Sequence, residues 1–458
     1  MKKFIKRFLP EKVFLIYHYF LSVIATVLYG FPSKKMIVIG VTGTKGKTSA
    51  ANFIWACLSA GKEKTGIIST ANIRIGNKEN LNKYHMTMPG GFVIQKLMAE
   101  MVKAGCKYCV VETTSEGIKQ YRHVGVYYDI AVFTNLTPEH LQSHGGSFEE
   151  YKRMKGKMFA ALSSHKKVLD GKEIEKCVVV NVDSEHADYF MAFKAGKKIT
   201  FGINNKKADY VAENIKETSD LVARPSAGVN CLASLPACIG VEFDVLDEAR
   251  KAEHFKIDIF GKFNVYNVLP AIAIGRFLGV SDASIKKGLE ELSVIPGRME
   301  VIDEGRNFLT IVDYAHEKES ITCVLEAASN MKGDGGKVII LLGAEGGGRD
   351  KAKRPIMGEL SAKMADYVVV SNVDPYEDDP KRILEDIACA AEASGKVRGE
   401  NLFVIEDRRA GIKKALSLAK LGDVVLITGK GAEQSIVIGG KKYYWDDRVV
   451  VREELRNL

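Results

Sequence analysis

A glycine loop, Gly40-Val-Thr-Gly-Thr-Lys-Gly-Lys-Thr48, lies directly after the apolar run 36–39 and directly before a stretch with apolar residues at Ala50, Phe53, Ile54, Cys57 and Leu58. A loop that joins a buried strand to a helix start frees backbone N–H groups and aims the positive end of the helix at an anion. Gly43, Thr44, Lys45 and Gly46 form the turn, Lys47 reaches outer phosphates, and the Thr48 hydroxyl is a ligand for Mg²⁺. The chemistry is that of a nucleoside triphosphate. The general pattern G-x-x-x-x-G-K-[ST] asks for glycine at position 41, whereas this chain has Val41 with glycines at 40 and 43, giving the variant G-T-x-G-K-T over Gly43 to Thr48.

Three further residues fit that chemistry. Glu112 ends the apolar run 108–111 and opens Glu112-Thr-Thr-Ser115, where an acid at a strand end near a phosphate loop can hold Mg²⁺ directly or through water. The next apolar run, Ile130–Phe133, leads to His140, a candidate second metal ligand in a position where a lone histidine is more often structural. Lys155 lies in Tyr151-Lys-Arg-Met-Lys-Gly-Lys-Met-Phe159, a helical stretch with Lys152, Arg153 and Lys157, for which the alternative is an exposed basic helix.

These side chains need a framework, and the pattern supplies one. The runs 36–39, 108–111, Ile130–Phe133 and 177–180 alternate with amphipathic stretches, which predicts a parallel sheet covered on both faces. Over 207–259 the texture changes to short alternating segments such as Phe255-Lys-Ile-Asp-Ile259, more like a smaller antiparallel subregion, and 261–278 returns to helix. Pro296-Gly297 marks a domain boundary. Beyond it Val338–Leu342, Tyr367–Val370, 402–405 and Val424–Ile427 repeat the alternation, each ending in a polar or glycine-rich loop of the kind that holds ligands at the carboxyl edge of a sheet. The expected division is 1–35, an apolar N-terminal helix; 36–296, a central nucleotide-binding domain; and 297–458, a ligand-holding α/β domain.

Composition narrows the class. A chain of 458 residues with 46% apolar content has room for two or three ordinary globular domains. The net charge of +9, from 66 basic and 57 acidic side chains, is spread along the chain without a dense basic run interleaved with aromatics, so a nucleic-acid partner is not expected and an anionic small substrate is. Eight cysteines, several in apolar runs, read as reduced residues of a cytoplasmic protein, and Cys106-Lys-Tyr-Cys109 lacks the second pair a zinc ribbon needs. Residues 13–31 are almost wholly apolar, long enough at about 1.5 Å per residue nearly to cross a bilayer core. Glu11, His18, Ser22, Thr26 and Tyr29 nevertheless fall on one helical stripe, a wet or hydrogen-bonded side. Lys2, Lys3, Lys6 and Arg7 would keep the N-terminus in the cytoplasm and so put the nucleotide-binding body of a spanning protein on the side without ATP. No small-residue cleavage site is present. Residues 1–31 are therefore expected to lie in the inner face of the membrane or to pack on the body of the protein.

The loop, Thr87-Met-Pro89, Glu112-Thr-Thr-Ser115, Phe133-Thr-Asn-Leu136 with His140 and His144-Gly145, Gly261-Lys-Phe-Asn-Val-Tyr-Asn267, Pro296-Gly-Arg-Met-Glu300, Asp313-Tyr-Ala-His316, Asp350-Lys-Ala-Lys-Arg-Pro355, Asp407-Arg-Arg409 and Gly429-Lys-Gly431 with Glu433 occur in one order. Together they resemble the Mur ligase superfamily, and within it the MurE branch, the UDP-N-acetylmuramyl-tripeptide synthetases of peptidoglycan biosynthesis. The resemblance, from about Val38 to the C-terminus, implies a P-loop central domain with a parallel sheet and a smaller antiparallel subregion, then a Rossmann-like C-terminal domain that binds the incoming amino acid. It implies ATP-dependent amide-bond formation through an acyl phosphate, with two Mg²⁺ ions and a carbamate on Lys155. By position, Lys47, His140 and Lys155 are catalytic, and Thr48, Glu112, His140 and Lys155 are metal ligands. Asn267 matches the adenine contact, Arg298 a phosphate contact and Asp313 a further nucleotide contact. Thr87, Thr114, Gln120 and Arg122 match the muramyl-peptide acceptor side, while Arg349, Asp374, Tyr376, Gly429 and Glu433 match the amino-acid side.

Several positions depart from the pattern. Only 39 residues precede Gly40, too few for the branch's own uridine-nucleotide-binding domain, so recognition of UDP does not follow from the resemblance, and the N-terminal helix could replace that domain by bringing the enzyme to a lipid-linked acceptor; the sequence leaves UDP-linked and lipid-linked both open. Asp-His-Leu-Asp reads Glu139-His-Leu-Gln142, and the His of Gly-Lys-Gly-His-Glu is Ala432. The Asp-Asn-Pro-Arg of enzymes that add meso-diaminopimelate reads Val373-Asp-Pro-Tyr376, which predicts a neutral or singly carboxylated amino acid, or lysine facing Asp374 and Glu433. Arg153 and Lys157 are expected to keep the Lys155 amine partly deprotonated. The rival readings are a folylpolyglutamate-synthase-like or polyamide-forming ligase of the same superfamily, and a catalytically silent nucleotide-binding scaffold at the membrane surface.

Overall fold

The computed structural model describes residues 11–84, 86–139, 141–218 and 240–458. The residues 1–10, with their four basic side chains, and His140 lie outside them. Among the described residues the chain forms two compact units: the first runs to Ile215 and takes in 243–256 and 264–292, the second holds 216–242, 257–263 and 293–458.

The larger sheet is centred on β1 (Ile37–Thr42), flanked in parallel by β5 (Tyr108–Glu112) and β6 (Ile130–Phe133). Outward from β5 come β2 (Thr65–Ile68) and the antiparallel strands β3 (Asn72–Ile75) and β4 (Lys78–Leu81). Outward from β6 come β9 (Cys177–Asn181), β10 (Lys197–Gly202), β11 (Tyr210–Thr218), β12 (Gly240–Leu246) and β13 (Ala252–Ile257), giving eleven strands in all, while β7 (Val168–Leu169) and β8 (Lys172–Glu173) form a separate hairpin. The apolar runs read from the sequence are these central strands, buried on both faces as parallel strands must be. The segment expected as a smaller antiparallel subregion extends the main sheet: β11 pairs with β10 in parallel, and β12 and β13, joined by a tight turn at Asp247 to Arg250, follow β11 at the sheet edge.

The helices that matter to the site follow from local signals. α1 (Glu11–Leu28) precedes β1, and α2 (Lys47–Ala60) starts at the positive-φ Gly46. α3 (Gly91–Lys103) and the short α4 (Ser115–Lys119) flank β5, α4 being capped by the Thr114 hydroxyl, which accepts from the Gly117 amide at 3.0 Å. α5 (Phe148–Leu162) is capped in the same way by Ser147. The second unit carries a six-stranded sheet of order β14-β15-β19-β16-β17-β18, with β14 (Glu300–Val301), β15 (Leu309–Val312), β16 (Val338–Leu342), β17 (Tyr367–Val370), β18 (Leu402–Val404) and β19 (Val424–Ile427). All of its pairings are parallel except β14 with β15.

The polar stripe of α1 is not its wet side. Ser22, Ala25 and Thr26 are buried against the body, whereas Val13, Ile16, Tyr17, Tyr19, Phe20, Ile24, Val27 and Leu28 are exposed. Two glycines explain the inversion. A Cβ at Gly91 would lie 2.0 Å from the Ser22 Oγ, and one at Gly125 would lie 1.8 Å from the Thr26 Oγ1, so the helix can seat here only over glycines and with small residues on this side. Thr26 satisfies its hydroxyl locally by donating to the Ser22 carbonyl at 2.7 Å. No helix among the described residues is long and apolar enough to cross a membrane.

Candidate active site

The phosphate loop leaves β1 at the carboxyl edge of the larger sheet and is braced from the next strand. The Thr44 amide donates to the Asn135 carbonyl at 2.9 Å, the Lys45 amide to Asn135 Oδ1 at 2.8 Å, and Thr134 Oγ1 donates back to the Lys45 carbonyl at 2.7 Å. With those two amides engaged, an anion meets the first turn of α2, where helix geometry leaves N–H groups without intrahelical partners. Gly43 and Gly46 are required by space as well as by their positive φ: a Cβ at Gly43 would lie 1.9 Å from Thr134 Oγ1, and one at Gly46 would lie 2.1 Å from Asn267 Oδ1. Asn267, on the helix Asn264–Phe277, is thereby placed beside the loop. Lys47 Nζ donates to the Thr44 carbonyl at 2.8 Å, and Lys45 pairs with Glu139 at 2.9 Å.

Glu112 arrives from β5. The Thr48 hydroxyl donates to both of its oxygens at 3.0 and 3.1 Å, and the Thr70 amide and hydroxyl donate to Oε2 at 2.8 and 2.9 Å. A hydroxyl beside a carboxylate is a hard oxygen set that suits Mg²⁺, an ion that keeps waters and phosphate oxygens and needs few protein ligands. Among the described residues no group of three or more His, Cys, Asp or Glu side chains is placed to hold a metal ion. The sequence offered no signal for Thr70, which follows β2 rather than any of the motifs.

Lys155 is buried rather than part of an exposed basic face. From α5 its Nζ donates to the Gly43 carbonyl at 2.7 Å and sits 4.5 Å from the centre of the Tyr151 ring, whose hydroxyl lies 3.1 Å from Thr44 Oγ1. Burial holds its pKa well below the usual lysine value, Lys47 pushes the same way, and Glu139 and Glu112 offset only part of this. Arg153 and Lys157, expected to do this work, do not: Arg153 points outward and is paired with Glu150 at 2.7 Å. Helical spacing explains the difference, since positions two apart face different sides.

The residues expected on the acceptor side lead away from Glu112 through a chain of close polar contacts. Thr70 Oγ1, whose proton goes to Glu112, lies 2.8 Å from Thr87 Oγ1, Arg122 Nη1 donates to the Met88 carbonyl at 2.6 Å, and Arg122 Nη2 donates to Gln120 Oε1 at 2.6 Å. Thr87, Gln120 and Arg122 are thus brought together, while the Thr114 side chain serves as the cap of α4.

In the second unit, Lys430 is fully buried between Asp374 at 2.8 Å and Glu433 at 2.6 Å, and Glu433 also accepts from the Tyr314 hydroxyl at 3.3 Å. Burial pulls the ammonium pKa down, but Glu433 and Asp374 outweigh it and the net shift is upward. The expectation of a lysine substrate facing these two carboxylates loses its basis, because the chain's own lysine neutralises both. Lys430 lies inside a recognised motif, but its partner Asp374 is 56 residues away, and sequence alone gave no reason to join them. A Cβ on Gly347 would lie 2.9 Å from the Tyr376 ring, and Arg349 lies close enough to Tyr376 to interact with it electrostatically. Tyr376 holds a positive φ of 55°. Gly429, also at positive φ, has no room for a Cβ against Val373. Asp313 accepts from the Met299 and Ala315 amides at 2.8 and 2.7 Å, which fixes the turn carrying Arg298, whose guanidinium stacks 4.3 Å from the Tyr314 ring centre.

Comparison with known proteins gives the same assignment along both units. Residues 41–275 match the family described as Mur ligase middle domain, and residues 297–431 match the Mur ligase, glutamate ligase domain. The chain is 34% identical over 440 residues to a UDP-N-acetylmuramoyl-L-alanyl-D-glutamate--2,6-diaminopimelate ligase of Clostridium acetobutylicum, covering 96% of this chain and 82% of that protein. It is 36% identical over 440 residues to the UDP-N-acetylmuramyl-tripeptide synthetase of Treponema denticola, covering 95% and 79%. Among solved structures, a UDP-N-acetylmuramoyl-L-alanyl-D-glutamate--2,6-diaminopimelate ligase superposes with a TM-score of 0.59 at 27% identity over 92% of this chain and 79% of that one. The Mycobacterium tuberculosis folylpolyglutamate synthase, at 16% identity and a TM-score of 0.67 over 96% and 94% of the two chains, shares the fold. With two family domains matched in order and relatives above 30% identity along nearly its whole length, the chain belongs to the Mur ligase family, on its MurE-type branch.

Proposed function

We propose that the chain is an ATP-dependent ligase that joins the free carboxylate of a muramyl-peptide acceptor to the amine of an amino acid. The observation that carries this reading is the buried, deprotonated-leaning Lys155 hydrogen-bonded to the phosphate-loop carbonyl of Gly43. A neutral amine in that position can add to carbon dioxide, losing a proton as the N–C bond forms, and so become an anionic oxygen ligand. Thr48, Glu112, His140 and that carbamate would hold two Mg²⁺ ions, which when bound supply positive charge between the phosphates and the acceptor carboxylate.

The acceptor carboxylate oxygen attacks the γ-phosphorus, the bond to the β–γ bridging oxygen breaks, and ADP leaves. The amine nitrogen then attacks the acyl carbon, the tetrahedral intermediate expels phosphate, and the amine proton is lost to give the amide. Lys47 stabilises charge on the transferring phosphoryl group, and the first turn of α2 orients it. Asn267 beside Gly46 contacts the base, Arg298 a phosphate, and Thr87, Gln120 and Arg122 orient the acceptor. Asp374, Arg349, Tyr376, Gly429 and Glu433 line the amino-acid side, where Tyr376 engages Arg349 and makes a neutral or singly carboxylated side chain the preferred one. The enzyme works in the cytoplasm, with residues 1–31 contacting the inner face of the membrane.

Phosphate release tests this directly. It should require ATP, Mg²⁺, a muramyl-dipeptide acceptor and an amino acid together, and hydroxylamine should trap an acyl hydroxamate when the amino acid is omitted. Phosphate release indifferent to the acceptor carboxylate would sink the reading. Release driven by a folate in place of the muramyl peptide would move the chain to the folylpolyglutamate-type reading, which its shared fold with that synthase supports.

A further inference from the structure

We infer that the outward face of α1 seats the enzyme on an anionic lipid surface, and that in doing so it holds the acceptor edge against the bilayer, so that the acceptor is an anionic amphiphile presented from the membrane. The second half of this statement rests on the proposed ligase function; the first does not.

The face is continuous. Val13, Ile16, Tyr17, Phe20, Ile24, Val27 and Leu28 recur at three- and four-residue intervals along an 18-residue helix and are between 43% and 66% exposed. A soluble helix normally turns such a stripe inward. Here the inward side is the polar one, committed to the glycine seats at Gly91 and Gly125, and rotating the helix would drive bulky side chains into those seats. Exposed Tyr17, Tyr19 and Phe20 are the ring types that favour the headgroup level.

Charge selects the occupant. No Asp or Glu occurs between Glu11 and Glu63, while Lys2, Lys3, Lys6 and Arg7 precede the helix and Lys34 and Lys35 follow it. Lys34 and Lys35 are both exposed. An apolar stripe with cations at both ends matches lipid tails beneath anionic headgroups, and the helix is too short and too polar on its packed side to span.

Position supplies the consequence. The Tyr19 ring packs edge-on against Tyr121, with 5.5 Å between centroids, and Tyr121 lies between Gln120 and Arg122. Ser22 rests on Gly91, four residues after Thr87 and at the start of α3. The helix therefore touches the same two segments that carry the acceptor residues, and a bilayer against its outer face lies beside the mouth they form.

The test uses the full chain and vesicles of phosphatidylglycerol and phosphatidylcholine in equal parts. The protein should float with these vesicles, should bind them about tenfold more weakly when salt is raised, and should bind pure phosphatidylcholine weakly at any salt. Phe20→Glu with Ile24→Glu and Val27→Glu should reduce flotation by about tenfold or more. The same variant should turn over a soluble muramyl-dipeptide acceptor at the wild-type rate and lose about tenfold on that acceptor tethered to a dialkyl anchor in the vesicles. Failure of the wild-type chain to float, or equal flotation by the variant, overturns the docking. A wild-type dimer that the variant converts to monomer gives the face to a second copy and also overturns it. Flotation with equal turnover of soluble and anchored acceptors overturns the acceptor half alone, and flotation without turnover of either identifies a failure of the ligase reading instead.

Discussion

Lys155 and Lys430 are both buried lysines near glycine loops at the carboxyl ends of parallel strands, and their charges are treated in opposite ways. Lys155 has a carbonyl and an aromatic face as its nearest partners and a second cation, Lys47, pressing on it, so burial lowers its pKa and favours the neutral amine. Lys430 has two carboxylates in direct contact, and its charge is retained. The first unit buries a lysine whose charge its surroundings disfavour; the second buries one whose charge two carboxylates retain. His123 and Lys353 extend the contrast. Burial pushes His123 down to about 4 in the first unit, whereas Glu345 and Glu317 more than offset the burial of Lys353 in the second.

If Lys155 carries the proposed carbamate, Lys155→Ala should break the catalytic side of the contrast most severely, with loss of turnover on the order of 10³, because an anionic metal ligand would disappear. Added formate or acetate should restore part of it. Full activity without rescue would leave Lys155 a packing residue. Lys430→Met should cost about 3–5 kcal/mol in the unfolding of the second unit, since Asp374 and Glu433 would remain buried without their cation. Urea denaturation that places it within error of wild type would show that the pair relaxes to water. Lys47→Ala should slow turnover on the order of 10² through loss of a donor to the transferring phosphoryl group, worth about 3 kcal/mol. Near-normal ligation would remove the phosphate cradle from the mechanism.

Specificity offers a finer probe of the second unit. Meso-diaminopimelate should be a poor substrate of the wild-type chain, and Tyr376→Arg should raise its use by about tenfold by supplying a partner for the distant carboxylate. Preference of the wild-type enzyme for meso-diaminopimelate would remove Tyr376 from the specificity argument. The smallest expected effect is on pH. His123 is depressed in the native state, so it adds nothing to the pH dependence of stability above about 6.5. As pH falls from 6.5 toward 4 the unfolded chain takes up the proton and the native chain does not, and stability is lost across that window. His123→Gln should flatten this limb in thermal melts, with the remainder including His165, which burial and Lys176 also push down to about 4, and His144, which burial pushes down as well. An unchanged limb would show that His123 titrates normally.

The parallel strands were legible because short runs of Val and Ile bounded by glycine and polar residues leave few alternatives, and 130–133, 338–342, 367–370 and 424–427 lie where the pattern puts them. The loop, Glu112 and Lys155 were legible as motifs, but the cause of the Lys155 shift was not. It depends on burial and on Lys47, more than a hundred residues away, while the sequence displays only Arg153 and Lys157 nearby. The role of Lys430 was hidden for the same reason. For α1 the periodicity was plain and the usual inference from it was inverted, since the rule that apolar faces turn inward carries no information about glycines at 91 and 125.

Glu112 already accepts hydrogen bonds from the Thr48 hydroxyl and from both the amide and hydroxyl of Thr70. A divalent ion arriving alone must compete with those donors for a carboxylate whose needs are met. Nucleotide phosphates change the balance by completing the ion's oxygen shell at the same moment. On the ligase reading, ion and nucleotide therefore enter as a single ligand, and millimolar Mg²⁺ without ATP should leave the melting temperature where it was. Thr70 Oγ1 lies within hydrogen-bond distance of both Glu112 and Thr87, so on that reading an ion that displaces Thr70 from the carboxylate also disturbs its contact with Thr87, a threonine in a different segment.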